Sequence, residues 1–499
     1  MLNLRTAIAT NRFGLGAGPA DEGRVSPDPE AWLLAQLAPG PAGRVANTAA
    51  ARRDAASVDA GGKNAADNSA ARPASARMLE EITELRLARQ ALQAQRNNQA
   101  VAVDPDSIRE YARFIAQAYQ TQAAAGLAAA ITAADPFRER LVRFWESHFA
   151  ISADKQPLGA LAGLYRDEAI RPHVTGNFRD LLLAAVRHPG LLLYLDNPAS
   201  IGPNSTLGRR AAARRGAGLN ENLAREVLEL HTLGVDGGYT QDDVIAFARA
   251  LTGWSVVGAG GTERLGALIR RLTGSDEGGA PGEFAFRSIV HEPGAKMLLG
   301  RRFAEGGVDE AETMLRFLAA RPETARYLAT RLARHFVADE PPPALIDRLA
   351  ATYLDSDGEL APVYRELVRA PEAWAEPRAK YKTPQEFLIS TWRGLGTRPP
   401  GNTAVALATQ LGQRPQTPGS PAGWPDTAAH WNSGDALLKR IEWTTVLGDS
   451  IGDRIDAVAR LDAILGETAS TTTRFGISRA ESGAQAVALL FGAPEFQWR

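Results

Sequence analysis

A chain of 499 residues with 56 basic and 57 acidic side chains has a formal net charge of −1. That balance gives no global reason to bind nucleic acid or an anionic membrane surface. The absence of cysteine excludes disulfides, thiolate metal sites and a cysteine nucleophile, and leaves the redox compartment open.

At the N-terminus, MLNLRTAIATNRFGLGAGP has Arg5 but no apolar run long enough for a signal-peptide core, and Asn11 and Arg12 interrupt what there is. No window is long and apolar enough for a membrane span, so the chain reads as soluble, with a cytoplasmic location expected. Asp28-Pro29 reads as the N-cap and first residue of a helix over Glu30–Leu37. Residues 40–76, rich in Ala, Gly, Asp and Asn, bury too little apolar surface to offset ordering entropy and are expected to form a mobile insertion. Helices follow over Met78–Gln95, Ile108–Ala134 and Phe137–Phe149. The last of these is capped by Asp135-Pro136 and places Phe137, Leu141, Phe144, Trp145 and His148 on one face.

Helical pattern continues over Phe178–Val186 and Leu191–Leu195, and Asn197–Gly218 reads as a long loop carrying Arg209, Arg210, Arg214 and Arg215. Strand signal is confined to Glu283–Leu299, where Phe284 and Phe286 alternate before His291-Glu292-Pro293-Gly294, suggesting a small hairpin. From Val308 onward one helix follows another, interrupted by a Pro/Gly-rich loop at Arg414–Asp426. The expected architecture is mainly α: a single multi-helical domain over residues 1–499, with a two-lobed helical arrangement as the alternative.

The densest stretch is Asn220–Trp254. Asn220 is an N-cap for a helix from Glu221, Gly234 ends it, Gly237-Gly238 turn, and Thr240 with Asp243 opens a second helix through Leu251. On the first helix Glu221, Asn222, Arg225, Glu226 and Glu229 form one polar arc. It is either a solvated face with Glu221–Arg225 and Arg225–Glu229 pairs, or a carboxylate cluster able to bind a cation or exchange protons. His231 falls on the apolar side, as His148 does on its own helix. Each reads either as a core histidine donating to a carbonyl or, joined by His291 and a glutamate, as a ligand for a divalent metal.

Only six of the basic residues are lysine, and Lys155, Lys296, Lys380 and Lys382 lie in motif-like segments. Against a background of arginine, such lysines mark places where a compact ammonium is wanted and a planar guanidinium is not. HExxH and Walker-type loops are absent from the sequence; GLGAG at Gly14–Gly18 lacks a preceding strand, and Asp355–Gly358 reads as a turn between helices.

The segments NRFGLGA (Asn11–Ala17), FWESHFAISADK (Phe144–Lys155), YLDNPASIGPNS (Tyr194–Ser205), Leu219–Val244 and ARALTGW (Ala248–Trp254) together resemble the bacterial family known as domain of unknown function 1800. So do HEPGAKMLLG (His291–Gly300), ARYLATRLARHFVADEPPP (Ala325–Pro343), KTPQEF (Lys382–Phe387) and SPAGWPD (Ser420–Asp426). The resemblance implies an exported or envelope protein encoded beside a second family, domain of unknown function 1501, of the phosphatase/sulfatase type. It departs at Glu146, where Asn or His is frequent, and at Glu292, where aspartate is usual.

Two functions follow as expectations. The first is an accessory or binding partner of the neighbouring phosphatase-like protein, reaching the periplasm by co-export. The second is a hydrolase- or lyase-like enzyme on an envelope polymer. Its cleft would use Glu221, Arg225, Glu226, Glu229, His291 and Lys296, with Asn222, Trp254, Trp424 and Trp431 binding substrate. His148 and His231 are the candidate metal ligands.

Overall fold

Prolines at first helical turns and short polar N-caps punctuate this chain, and the computed structural model shows helices starting where they stand. It describes residues 1–19, 21–38, 72–97, 105–211, 218–258, 279–375, 380–399 and 402–499. Asp28 accepts the Ala31 amide at the start of helix Pro29–Ala35. Asn177 caps Phe178–Arg187 through the Arg179 amide. Thr383 and Glu386 form a complete capping box at Pro384–Leu395, and Thr240 and Asp243 form another at Gln241–Leu251. Asp135 stands before helix Pro136–His148 without a side-chain cap. Most of the expected insertion, residues 40–71, lies outside the described residues; its end does not extend to Ala76, because helix Ala74–Asn97 has begun by then.

The loop expected over Asn197–Gly218 contains a 3-10 turn, Asn197–Ala199, and a helix, Thr206–Ala211, which carries Arg209 and Arg210. Arg214 and Arg215 lie outside the described residues. Strand pairing also differs from expectation. Strand β1 (Trp254–Val256) pairs antiparallel with β2 (Phe284–Phe286), and β3 (Lys296–Leu298) pairs with β4 (Arg301–Phe303). Phe284 and Phe286 therefore alternate against the end of the central segment, not across the His291 turn. The tight hairpin is β3–β4, whose turn residues Leu299 and Gly300 have φ of 49° and 74°. Two positive φ values give the twist a two-residue hairpin needs. Leucine resists that conformation, and the Asp243 Oδ1 carboxylate oxygen accepts the Leu299 amide at 2.6 Å.

Buried apolar side chains form two clusters. One centres on Phe137, Trp145, Phe149, Phe178, Leu228 and Phe336, and takes in Trp254. The other joins Tyr119 and Leu127 to Phe387, Trp443, Phe491 and Phe496. The N-terminal end is tied to the helices of the second cluster: the Leu2 amide donates to the Asp462 carbonyl and the Leu2 carbonyl accepts from the Glu467 amide. A Cβ on Gly466 would stand 2.1 Å from that carbonyl. No described helix is long and apolar enough to cross a membrane.

Candidate active site

The central segment folds as a helical hairpin, with one irregularity. Its first helix is regular only over Asn222–Glu226 and then widens into a π-helix, Val227–Thr232. Glu221 occupies the N-cap position, and Asn220 Oδ1 accepts the Asn222 amide. The polar arc is partly solvent-exposed. Arg225 pairs with Glu221 at 3.0 Å, and its other partner is Gln241, not Glu229. Burial, then Glu229, raises the Glu226 carboxyl. None of the five arc residues lines either of the two cavities described below.

His231 is wholly buried and His148 nearly so, their rings 6.0 Å apart. His148 Nε2 donates to the His231 carbonyl at 3.1 Å, the contact expected of a core histidine. Neither ring nitrogen of His231 has a partner. Burial, then Arg331, holds His231 down to about 3, and burial also holds His148 low.

His291 lies in other company. Its Nδ1 is 2.8 Å from the Thr252 carbonyl, and Nε2 is 3.2 Å from Glu310. Glu310, with no exposed side-chain surface, pairs with Lys296 at 2.8 Å, and Lys296 also donates to the Glu292 carbonyl. Glu292 binds Asn204 through both carboxylate oxygens. That fastening answers the departure noted at this position: the longer glutamate holds the 202–204 turn, where the backbone of Gly202 comes close to Glu292. Among the described residues no group of three or more His, Asp or Glu could hold a metal ion.

The tryptophans divide. Trp254 is fully buried against Phe284. Trp431 is buried and donates to the Pro425 carbonyl at 2.8 Å, anchoring the 414–426 loop. Trp424 lines a cleft.

That cleft opens where the two apolar clusters meet, with a volume of about 110 Å³. Helix Pro136–His148 supplies Arg140, Arg143, Glu146 and Ser147; helix Pro322–Phe336 supplies Arg331 and His335, one turn apart. The 413–426 loop closes it with Gln413, Gln416, Trp424 and Asp426, and Arg166 enters from the π-helix Arg166–Ile170. The loop is held at many points. Gln416 donates to Glu146 and its carbonyl accepts the Ala153 amide; the Trp424 amide donates to Ser147 Oγ. Gly423 has φ 81°, and a Cβ there would meet the Ser147 carbonyl at 2.1 Å, so only glycine fits.

Within the cleft His335 Nδ1 is 3.1 Å from Asp426 Oδ2, which fixes the proton on Nδ1, and buried Nε2 has no partner. Burial lowers the His335 imidazole despite the attraction of Asp426. Burial alone would raise Asp426, but His335 and Lys380 pull it well below the usual range. Lys380, almost fully buried, bonds Asp339 and the Asp426 carbonyl and so locks the aspartate in place.

Three arginines of the cleft are engaged: Arg140 with Glu386, Arg143 with Gln385, and Arg166 with Asp167. Arg331 forms no hydrogen bond or ion pair with a described residue, yet its field reaches His148 and His231. A neutral imidazole with one unpartnered nitrogen, in a cleft with a cation that makes no ion pair, can take a proton from a group held next to an anion.

Sequence reasoning passed over His335, Asp426, Arg140 and Arg331, although each lies in or beside a quoted motif. A usable signal was present. Arg331 and His335 stand at i and i+4 on one helix, and the lysine anomaly pointed to Lys380, which supports Asp426.

No curated protein matches the chain, and no solved structure matches it. Over residues 8–498 the sequence matches one family, so nearly the whole chain, cleft included, is family sequence; it belongs to the family described as Protein of unknown function (DUF1800).

Proposed function

We propose that the cleft is the acid–base site of a hydrolase- or lyase-like enzyme that acts on a substrate bearing a carboxylate or phosphate. One observation carries this reading: His335, oriented by Asp426 and with Nε2 unpartnered, lines a cleft in which Arg331 forms no ion pair with a described residue. His335 accepts the proton from water or from a carbon next to the anionic group, Asp426 steadies the imidazolium that forms, and Arg331 holds the anion. The cleft, about 110 Å³, is below the roughly 300–1,000 Å³ of small-molecule pockets. It suits the charged end of a larger molecule. Trp424 at its wall is placed to pack on the part adjoining that end.

The test is turnover on a panel of uronic-acid polymers and phosphate or sulfate esters. Loss of a positioned acid–base group should lower the rate by about 10²–10⁴-fold, so His335→Gln is expected to show that loss with its melting temperature near wild type. Diethyl pyrocarbonate should modify His335, with inorganic phosphate protecting it. A His335→Gln protein as active as wild type, or modification that phosphate does not slow, overturns the reading. The polar arc of Glu221, Arg225, Glu226 and Glu229 is a rival location for the chemistry, and Glu226→Gln in the same assay separates the two.

A further inference from the structure

Basic side chains crowd around the Glu386 carboxylate. Arg140 and Arg499 both pair with its carboxylate. Lys382 and Arg440 lie in the same field, and Arg12 faces Arg499. All five basic side chains are at most 3% exposed. Burial holds the Lys382 amine well below its ordinary range; its Nζ lies 3.8 Å above the Phe496 ring and makes no hydrogen bond. Asp426 lies in the field of Arg499 as well, whereas Arg12 has no carboxylate beside it among the described residues, so an anion is wanted at Arg12.

A cavity lies beside it. Between the π-helix Ala9–Phe13 and residues 494–499 it has a volume of about 450 Å³ and is lined by Arg12 and Arg499. Arg12 spends Nη1 on the Ala373 and Ala375 carbonyls and leaves buried Nε unpartnered. Arg499 likewise leaves buried Nη1 unpartnered. The carboxylate on the wall, Glu495, is occupied: its oxygens accept from the Ser470 amide and the Thr473 hydroxyl. The remaining wall is mostly apolar, chiefly Ile8, Leu465, Pro494 and Trp498.

We infer that this second cavity binds a small organic carboxylate with an aliphatic body, its head on Arg12 and Arg499 and its tail along the Ile8–Leu465–Trp498 wall. Guanidinium nitrogens match a carboxylate's geometry, and an apolar wall rewards a hydrocarbon tail that inorganic ions lack. The inference is independent of His335.

Titration of the full chain with acetate, butanoate and hexanoate at constant ionic strength, followed by calorimetry, tests it. Binding should be saturable and tighten about fourfold for each methylene added. Arg499→Gln should weaken hexanoate at least tenfold. Because that change also touches Glu386, Leu4→Trp, which narrows the cavity and leaves both arginines in place, should block hexanoate in a protein that melts as wild type does. Binding that does not saturate, ignores chain length or survives Leu4→Trp overturns the inference. Glu376 follows Ala375 in the sequence; hexanoate binding seen only in Glu376→Gln would make the chain's own carboxylate the counter-charge and also overturn it.

Discussion

His231 shows what a single side chain can tell about the interior. From the sequence it reads either as a core histidine donating to a carbonyl or as a metal ligand; in the structure its own carbonyl accepts from His148, and its ring goes without partners. An unfolded histidine takes up a proton near its ordinary 6.5, whereas the folded His231 resists until about 3. Its contribution is therefore present above pH 6.5 and is lost as pH falls from there toward 3, at about 1.4 kcal/mol per pH unit. His148 and His335 act in the same direction. Urea midpoints measured between pH 7 and 4.5 should fall steeply, and His231→Leu should flatten the slope while leaving stability at pH 7 unchanged or higher, since no hydrogen bond is given up. An unchanged slope would show that His231 is not held neutral. Burial of His148 and His231 was legible from helical faces. The Asp426–His335 pairing was not, because it joins residues 91 positions apart through a loop with no periodicity.

At the scale of elements, local chemistry was the readable part. Caps at Asp28 and Thr240 and the helices behind them stand where prolines and short polar side chains place them. What local pattern could not supply was pairing and pitch. β2 finds its partner in β1 across the chain, and a wheel drawn at one fixed pitch cannot show the π turn at Val227–Thr232, where Thr232 Oγ donates to Val227. Two other π segments each bring an arginine to a cavity, Arg166 to the cleft and Arg12 to the second pocket. Such turns are rare and concentrate at functional sites. Asp243 joins two elements at once: Oδ2 closes the capping box with Thr240, and Oδ1 holds the strained Leu299 turn. Asp243→Ala should cost about 2 kcal/mol, one cap plus one charge-assisted hydrogen bond, and should show in the denaturation midpoint. A loss no larger than that of a lone cap would mean the hairpin turn holds without it.

For the whole molecule, the helical architecture followed from composition and periodicity, while the meeting of two apolar clusters at the cleft needed the fold. The partnership with a phosphatase- or sulfatase-like protein that the family resemblance implies is a proposal at this scale. Gentle extraction and co-purification should recover the pair, and a protein recovered alone under those conditions would count against it. The hydrogen bonds that bind Leu2 and Leu4 to Asp462 and Glu467 link positions more than 450 residues apart. Contacts so distant along the chain are slow to form because loop closure comes first. During synthesis, then, the contacts of Leu2 and Leu4 with Asp462 and Glu467 wait until residues 461–467 leave the ribosome. The second cavity, walled by both stretches, is among the last parts of the protein to exist.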